Sequence, residues 1–290
     1  MAAGVGRVRT VRNVLLAACG LVMAGPALAD EPCGAPAQPC SVAQGAYFAA
    51  APPWRVGDAL RPVVLFLHGA GGSGAAAVED RGLAEPIIAR GYVLLAPSGQ
   101  ARPGRDGFFW STGTRPPVRD EAAFLAAVLE DASRRFHLDR GRVFATGFSM
   151  GAGVVWQLAC HEPAAYAAYG PVAGGFWHGQ PTGCAGPVKL LLTHGWRDDA
   201  VPLEGWEEDG KVWGGTFDGV QLWRQVDGCP DPHAASFVTD ARFWRRSWTG
   251  CAPGAALTLV LHPGGHEVPP GWADLALDWF ESVTAAAHGD

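Results

Sequence analysis

The chain has 290 residues, enough for one large core or two small domains. Hydrophobic residues make up 48% and charged residues 17%, which excludes disorder over most of the length; Gly 40 and Pro 23 follow no collagen period, and no heptad run is present. The 22 basic and 28 acidic residues give a net charge of −6, and past the first dozen positions the basic ones are scattered rather than gathered on one face, which argues against a nucleic-acid binder.

The first segment reads as a leader. Arg7, Arg9 and Arg12 precede an apolar run from Val14 to about Ala24, and Pro26-Ala27-Leu28-Ala29 offers small residues where a signal peptidase cuts. The pattern predicts a signal peptide over 1–29, cleaved after Ala29, and a secreted or periplasmic protein. The apolar run is short for a permanent anchor, so no stable membrane anchor is expected. Leu16-Ala17-Ala18-Cys19 matches a lipoprotein signal but follows only a short apolar stretch. Without residues 1–29 the net charge becomes 19 − 28 = −9.

Six cysteines follow the leader: Cys33, Cys40, Cys160, Cys184, Cys229 and Cys251. An even number in an exported chain suggests disulfides. Neighbour pairing is the simplest arrangement: Cys33–Cys40, Cys160–Cys184 and Cys229–Cys251. No CxxC or HxxxH spacing points to zinc, so no metal is expected.

Residues 30–290 read as one domain, with an N-terminal extension over 30–55. Val63–Leu67 is a continuous apolar run that predicts a strand buried on both faces, followed by the Gly-rich turn His68-Gly69-Ala70-Gly71-Gly72-Ser73. Residues 75–90 predict a helix, 92–96 a strand stopped by Pro97, and 98–117 a long loop. Asp120 caps a helix through Phe136, with Phe124, Leu125, Val128, Leu129 and Ala132 on one face. Strands are expected at 142–146, 167–173, 188–193 and 257–261, and helices at 150–160 and 271–287. Residues 203–250, rich in Trp and weak in periodicity, read as an insertion. The alternation predicts an α/β fold, a mostly parallel sheet with helices on both faces.

The chemistry lies in the loops after strands. Gly147-Phe148-Ser149-Met150-Gly151 falls between a buried strand and a helix, where a tight turn exposes a serine hydroxyl. Such a serine needs a base and an orienting acid, in the chain order Ser, Asp or Glu, His. Asp198 and Asp199 both follow the strand at 188–193. His266 sits on a Gly-Gly loop after the last strand and is preferred over His262, which is still at the strand end; His288 is in the tail. An oxyanion hole takes the N–H of Met150, the residue after the serine, and one from the turn at 68–73. Ala70 is the choice there, with Gly69 and Gly71 as close seconds. That turn lacks the spacing of a phosphate cradle.

These segments together resemble the secreted polyhydroxybutyrate depolymerase and feruloyl esterase family of α/β hydrolases. The resemblance runs from about residue 60 to 285 and includes Phe136-His137-Leu138-Asp139-Arg140-Gly141-Arg142-Val143 and Ala168-Tyr169-Gly170-Pro171-Val172-Ala173-Gly174. Its HGxxDxxVP pattern puts the acid at Asp198, implying a triad of Ser149, Asp198 and His266, and disulfides like Cys160–Cys184 and Cys229–Cys251. Two departures fall near the mouth of the site. Val118-Arg119-Asp120-Glu121 stands where the family often has Asp-Asp-Val, and Glu267-Val268-Pro269 follows the histidine where Trp-Pro is common.

Of 12 Trp, Trp156, Trp223 and Trp279 are expected in the core, whereas Trp110, Trp177 and Trp196 lie in loops near the serine and are candidate pocket residues. Arg102, Arg105 and Asp106 read as a solvated face. The expectation is an esterase acting on a small-molecule or polymeric ester, with no cofactor and no nucleic acid. Hydroxyalkanoate oligomers and feruloylated or acetylated polysaccharide are the ester classes left open. A secreted serine peptidase is the alternative within enzymes, and a non-catalytic polymer- or glycan-binding protein the alternative outside them.

Overall fold

The computed structural model describes residues 1–4, 33–111, 118–208 and 211–285. Most of the expected leader, the tail with His288, and part of the long loop lie outside the described residues. Two compact units are present, Met1–Glu31 and Pro32–Asp290, and the second carries all the secondary structure described.

Six apolar runs form a parallel core of strands. They are β3 (Arg61–Leu67), β4 (Val93–Pro97), β7 (Leu138–Phe148), β8 (Ala168–Val172), β9 (Lys189–Gly195) and β14 (Ala256–His262). They stand in the order β4-β3-β7-β8-β9-β14. Each is buried on both faces because alternate side chains enter two different cores. Val63, Leu65 and Leu67 of β3 enter one core, and Val64 and Phe66 the other. Full burial of side chains this size contributes about 1.5–3 kcal/mol each. The first core is closed by α3 (Glu121–Phe136), α4 (Met150–His161) and α5 (Thr216–Val226). The second is closed by α1 (Gly74–Glu79), α2 (Arg81–Ala89) and α6 (Trp272–Ala285).

The sheet is wider than the sequence pattern predicts. At one edge β1 (Cys40–Val42) and β2 (Gly45–Ala50) add antiparallel strands beside β4. At the other, β13 (Trp244–Trp248) and β12 (Ser236–Thr239) add two beside β14, completing ten. Residues 203–250, expected as an insertion of weak periodicity, are well structured where described. They supply two sheet strands, the short hairpin β10 (Trp206–Glu208) and β11 (Lys211–Trp213), and α5, whose Trp223 is fully buried. The long loop carries a hairpin of its own, β5 (Gln100–Arg102) and β6 (Arg105–Phe109). The helix expected over 75–90 is two helices. Asp80 ends α1 and turns its carboxylate to the N–H groups of Gly82 and Leu83, capping α2.

Disulfides join Cys33 to Cys40, Cys160 to Cys184 and Cys229 to Cys251. The last two tie the ends of α4 and α5 to the chain before β9 and β14, and closing a loop of such length contributes about 3 kcal/mol in the chain-entropy view.

Strand order reverses direction between β3 and β7: the chain steps from β3 outward to β4, then from β7 the other way. Loops leaving the carboxyl ends of β3 and β7 diverge there and leave a crevice, the usual place for a ligand in such a sheet.

Candidate active site

Ser149 is the single residue between β7 and α4. Its backbone has φ 54° and ψ −115°, a strained conformation for a side chain with a Cβ. The neighbouring glycines make this turn sterically feasible. A Cβ on Gly151 would lie 2.1 Å from the Leu67 carbonyl oxygen, and one on Gly147 would lie 2.7 Å from the Gly151 carbonyl carbon. The Ser149 N–H donates to the Val172 carbonyl at 2.9 Å. Its hydroxyl makes no capping bond to α4 and instead donates to Nε2 of His266 at 2.8 Å.

His266 lies on the loop after β14, with its ring 4.8 Å from that of Phe148. Its Nδ1 donates to Asp198, 2.9 Å from Oδ2 and 3.1 Å from Oδ1. Asp198 follows β9, is buried, and also accepts the N–H groups of Ala200 and Val201 on Oδ1. A second imidazole reaches it: Nε2 of His194 is 3.3 Å from Oδ2 and donates to the Val201 carbonyl at 2.7 Å, while the Thr216 hydroxyl donates to Nδ1. Burial alone would raise the Asp198 carboxyl. The bonds from His194, His266 and Val201 outweigh it and hold the group well below the usual carboxylate range. Asp199 is exposed. His262 is buried, its Nδ1 accepts the Gly264 N–H, and burial lowers its pKa, so it props the loop that carries His266.

The turn after β3 packs against the serine. A Cβ on Gly69 would sit 3.0 Å from the Phe148 ring and 3.4 Å from Ser149 Cβ. The Gly71 N–H already donates to the Phe108 carbonyl and that of Gly72 to Gly69, which removes Gly71 as a donor to a ligand. His68 fastens the turn: Nδ1 donates to the Gly69 carbonyl at 2.7 Å and Nε2 accepts the Gly99 N–H at 3.0 Å. Burial pushes its pKa down to about 4, so the ring stays neutral in this role. Met150, at the start of α4, is buried.

The three candidate pocket tryptophans part company. Trp110 is fully buried, and its indole N–H donates to the His68 carbonyl at 2.7 Å, so it supports the turn from below and lines no opening. Trp177 packs on Gly153 of α4, where a Cβ would collide with its indole nitrogen. It lines a cavity of about 310 Å³ that begins one helical turn beyond Ser149. Trp196 is 56% exposed, two residues before Asp198. Of the Trp expected in the core, Trp156 and Trp223 are fully buried and Trp279 partly so.

The residues that depart from the family's pattern have a structural task. Arg119 and Glu121 form a buried ion pair at 2.7 Å. Glu121 also accepts the Ser111 N–H, and the Arg119 guanidinium lies 3.6 Å from the centre of the Phe124 ring. Sequence reasoning missed this pair, and it missed the parts played by His68 and His194. The signal available for both histidines was their position, each at the end of a buried strand directly before a glycine.

Comparison with known proteins identifies the fold. Over 82% of its length the chain superposes on 94% of an acetyl xylan esterase from Aspergillus awamori, with a TM-score of 0.59 and 16% identity. Over 83% it superposes on 97% of a carboxylesterase from Mesorhizobium loti, with a TM-score of 0.55 and 18% identity. The chain has the α/β-hydrolase fold. At these identities the likeness speaks for the fold alone. In sequence, this α/β hydrolase is 29% identical over 155 residues to feruloyl esterase C of Emericella nidulans, covering 52% of each chain. It spans about half the length of the curated relatives it matches. No protein-family model matches it. The relatives' names agree with the resemblance carried by the motifs.

Proposed function

We propose that this α/β hydrolase is a serine esterase. The observation that carries the reading is the hydrogen-bonded chain Ser149–His266–Asp198, set at the carboxyl edge of the sheet. Ser149 Oγ attacks the ester carbonyl while Nε2 of His266 takes its proton. Asp198, ionised and held by its neighbours, fixes the imidazole tautomer and stabilises the imidazolium that forms. The N–H groups of Met150 and Ala70 receive the developing oxyanion, each worth about 10²–10³ in rate by analogy with other such holes. His266 returns the proton to the departing alcohol, then activates water against the acyl-enzyme. Only these groups and water take part.

Relatives named as feruloyl esterases favour a feruloyl ester, and hydroxyalkanoate oligomers, from the family the motifs resemble, are the second class. Trp177, lining the cavity beside α4, is the pocket residue that would meet an aromatic acyl group. The leader pattern, the three disulfides and the secreted family resembled support a secreted or periplasmic site of action. Among the described residues no helix is long and apolar enough to cross a membrane. The test is ester hydrolysis by Ser149→Ala, expected to fall by at least about 10⁴-fold. Retained activity on esters would remove the reading, and equal cleavage of the matching amides would move it to a peptidase.

A further inference from the structure

A second surface, next to this site but separate from it, has the features of a ligand groove. On the face of the sheet covered elsewhere by α3, α4 and α5, the outer strands β12 and β13 lie open. All four residues of β12 are exposed. The register sets Phe237 opposite Arg246 and Thr239 opposite Trp244. Trp244 lies opposite Leu261 in turn, so alternate residues of three strands share this face. Trp196 from the loop after β9 and Phe217 from α5 rise at its sides, enclosing a groove of about 460 Å³. Phe237, Trp196 and Phe217 are 62%, 56% and 44% exposed, which is unusual for three large aromatic residues around one groove.

Its charge is opposite to that of the molecule. The chain carries −6, yet the charged side chain on this face of the groove is Arg246. The Arg246 guanidinium lies 5.2 Å from the centre of the Phe237 ring, and among the described residues no carboxylate pairs with it. Asp240, in the turn between β12 and β13, is occupied by the N–H groups of Arg242 and Phe243. Asp218 follows Phe217 in α5 but does not line the groove.

We infer that this groove binds a polysaccharide chain bearing uronate carboxylates. The C–H face of a pyranose ring is flat and apolar and stacks on exposed aromatic rings, and a guanidinium pairs with a carboxylate through two parallel hydrogen bonds. Alternating ring faces and carboxylates are what such a polymer presents. A second copy of this chain fits less well, because a two-fold contact through this patch sets Arg246 against its own counterpart. The groove includes Trp196, two residues before Asp198 on the same loop. Binding itself does not depend on the esterase reading.

The test is electrophoresis of the purified chain through gels containing polygalacturonate or its fully methyl-esterified, uncharged form. The expected result is retardation by polygalacturonate that weakens at high salt. The uncharged polymer retards less, and both Phe237→Ala and Arg246→Gln reduce the apparent affinity at least fivefold. Both variants should hydrolyse a small soluble ester as the parent does, which separates loss of binding from loss of fold or catalysis. No retardation, or equal retardation of parent and variants, overturns the proposal. So does a dimer that dissociates in Phe237→Ala without any polymer binding.

Discussion

Nε2 of His194 lies inside the protein 3.3 Å from the Asp198 carboxylate oxygen that His266 contacts from the crevice, and its N–H donates to the Val201 carbonyl. Asp198 is thus shared by two imidazoles of different standing. His194 is 2% exposed at its side chain and locked by Thr216 and Val201, whereas His266 is 21% exposed and faces Ser149. The buried ring fixes the acid so that the acid can fix the mobile ring. His194→Phe removes the polar contact beside that charged group, worth about 1.5–3 kcal/mol. Ester hydrolysis should fall by about 10–100-fold through kcat, with KM little changed. A steady-state comparison with Thr216→Val, which loosens the same ring less, should order the two variants accordingly. Full activity in His194→Phe would mean that Asp198 needs no second support.

Trp110→Phe tests whether the indole N–H, rather than the bulk of the ring, holds the turn after β3. The substitution leaves the His68 carbonyl without its buried donor, at a cost of about 1–3 kcal/mol. Urea denaturation should show a lower midpoint with an unchanged slope. Hydrolysis should also decline, because Ala70 sits in the turn that His68 anchors. An unchanged midpoint would show that packing alone suffices.

Asp227 makes stability depend on pH in the less common direction. Its side chain is fully buried, Oδ1 accepts the Val188 N–H, and among the described residues Oδ2 has no partner. Burial raises its pKa to about 7, against the hydrogen bond from Val188. The folded protein therefore holds this proton where the unfolded chain, with a pKa near 3.9, has released it. Stability contributed at this site is full below about pH 4 and falls as pH rises toward 7. Asp227→Asn keeps an acceptor for Val188 and cannot ionise. It should stabilise the protein at pH 8 by up to about 4 kcal/mol and have a much smaller effect at pH 4. Thermal unfolding of both proteins across that range checks the sign. A variant less stable at pH 8 would contradict it.

The six parallel strands were legible because being buried on both faces writes an unbroken apolar run, and the loops that follow such runs are where chemistry collects. Ser149 and His266 stood out for that reason. Asp198 and Asp199 could not be separated by spacing, since both follow the same strand; family resemblance chose Asp198, and in the structure that residue is buried while Asp199 faces solvent. The outer strands were not legible. β1 has three residues, and β12 is exposed along its whole length, so no burial pattern marks it; in the separate hairpin β5 has three residues and most of β6 is exposed. The break between α1 and α2 was hidden because Asp80 reads as an ordinary helical residue until its side chain is seen capping the next turn. Trp110 misled for a related reason. A tryptophan in a Gly-rich loop looks available, but here the hairpin of β5 and β6 carries it into the core.

The central claim is that Ser149 is a nucleophile activated by His266. Incubation of the folded protein with a fluorophosphonate, followed by peptide mass mapping, tests it most directly. The account predicts one adduct per chain, on Ser149, absent in Ser149→Ala and formed far more slowly in His266→Ala. A folded protein that takes up no label, or takes it up equally after His266 is replaced, would contradict it.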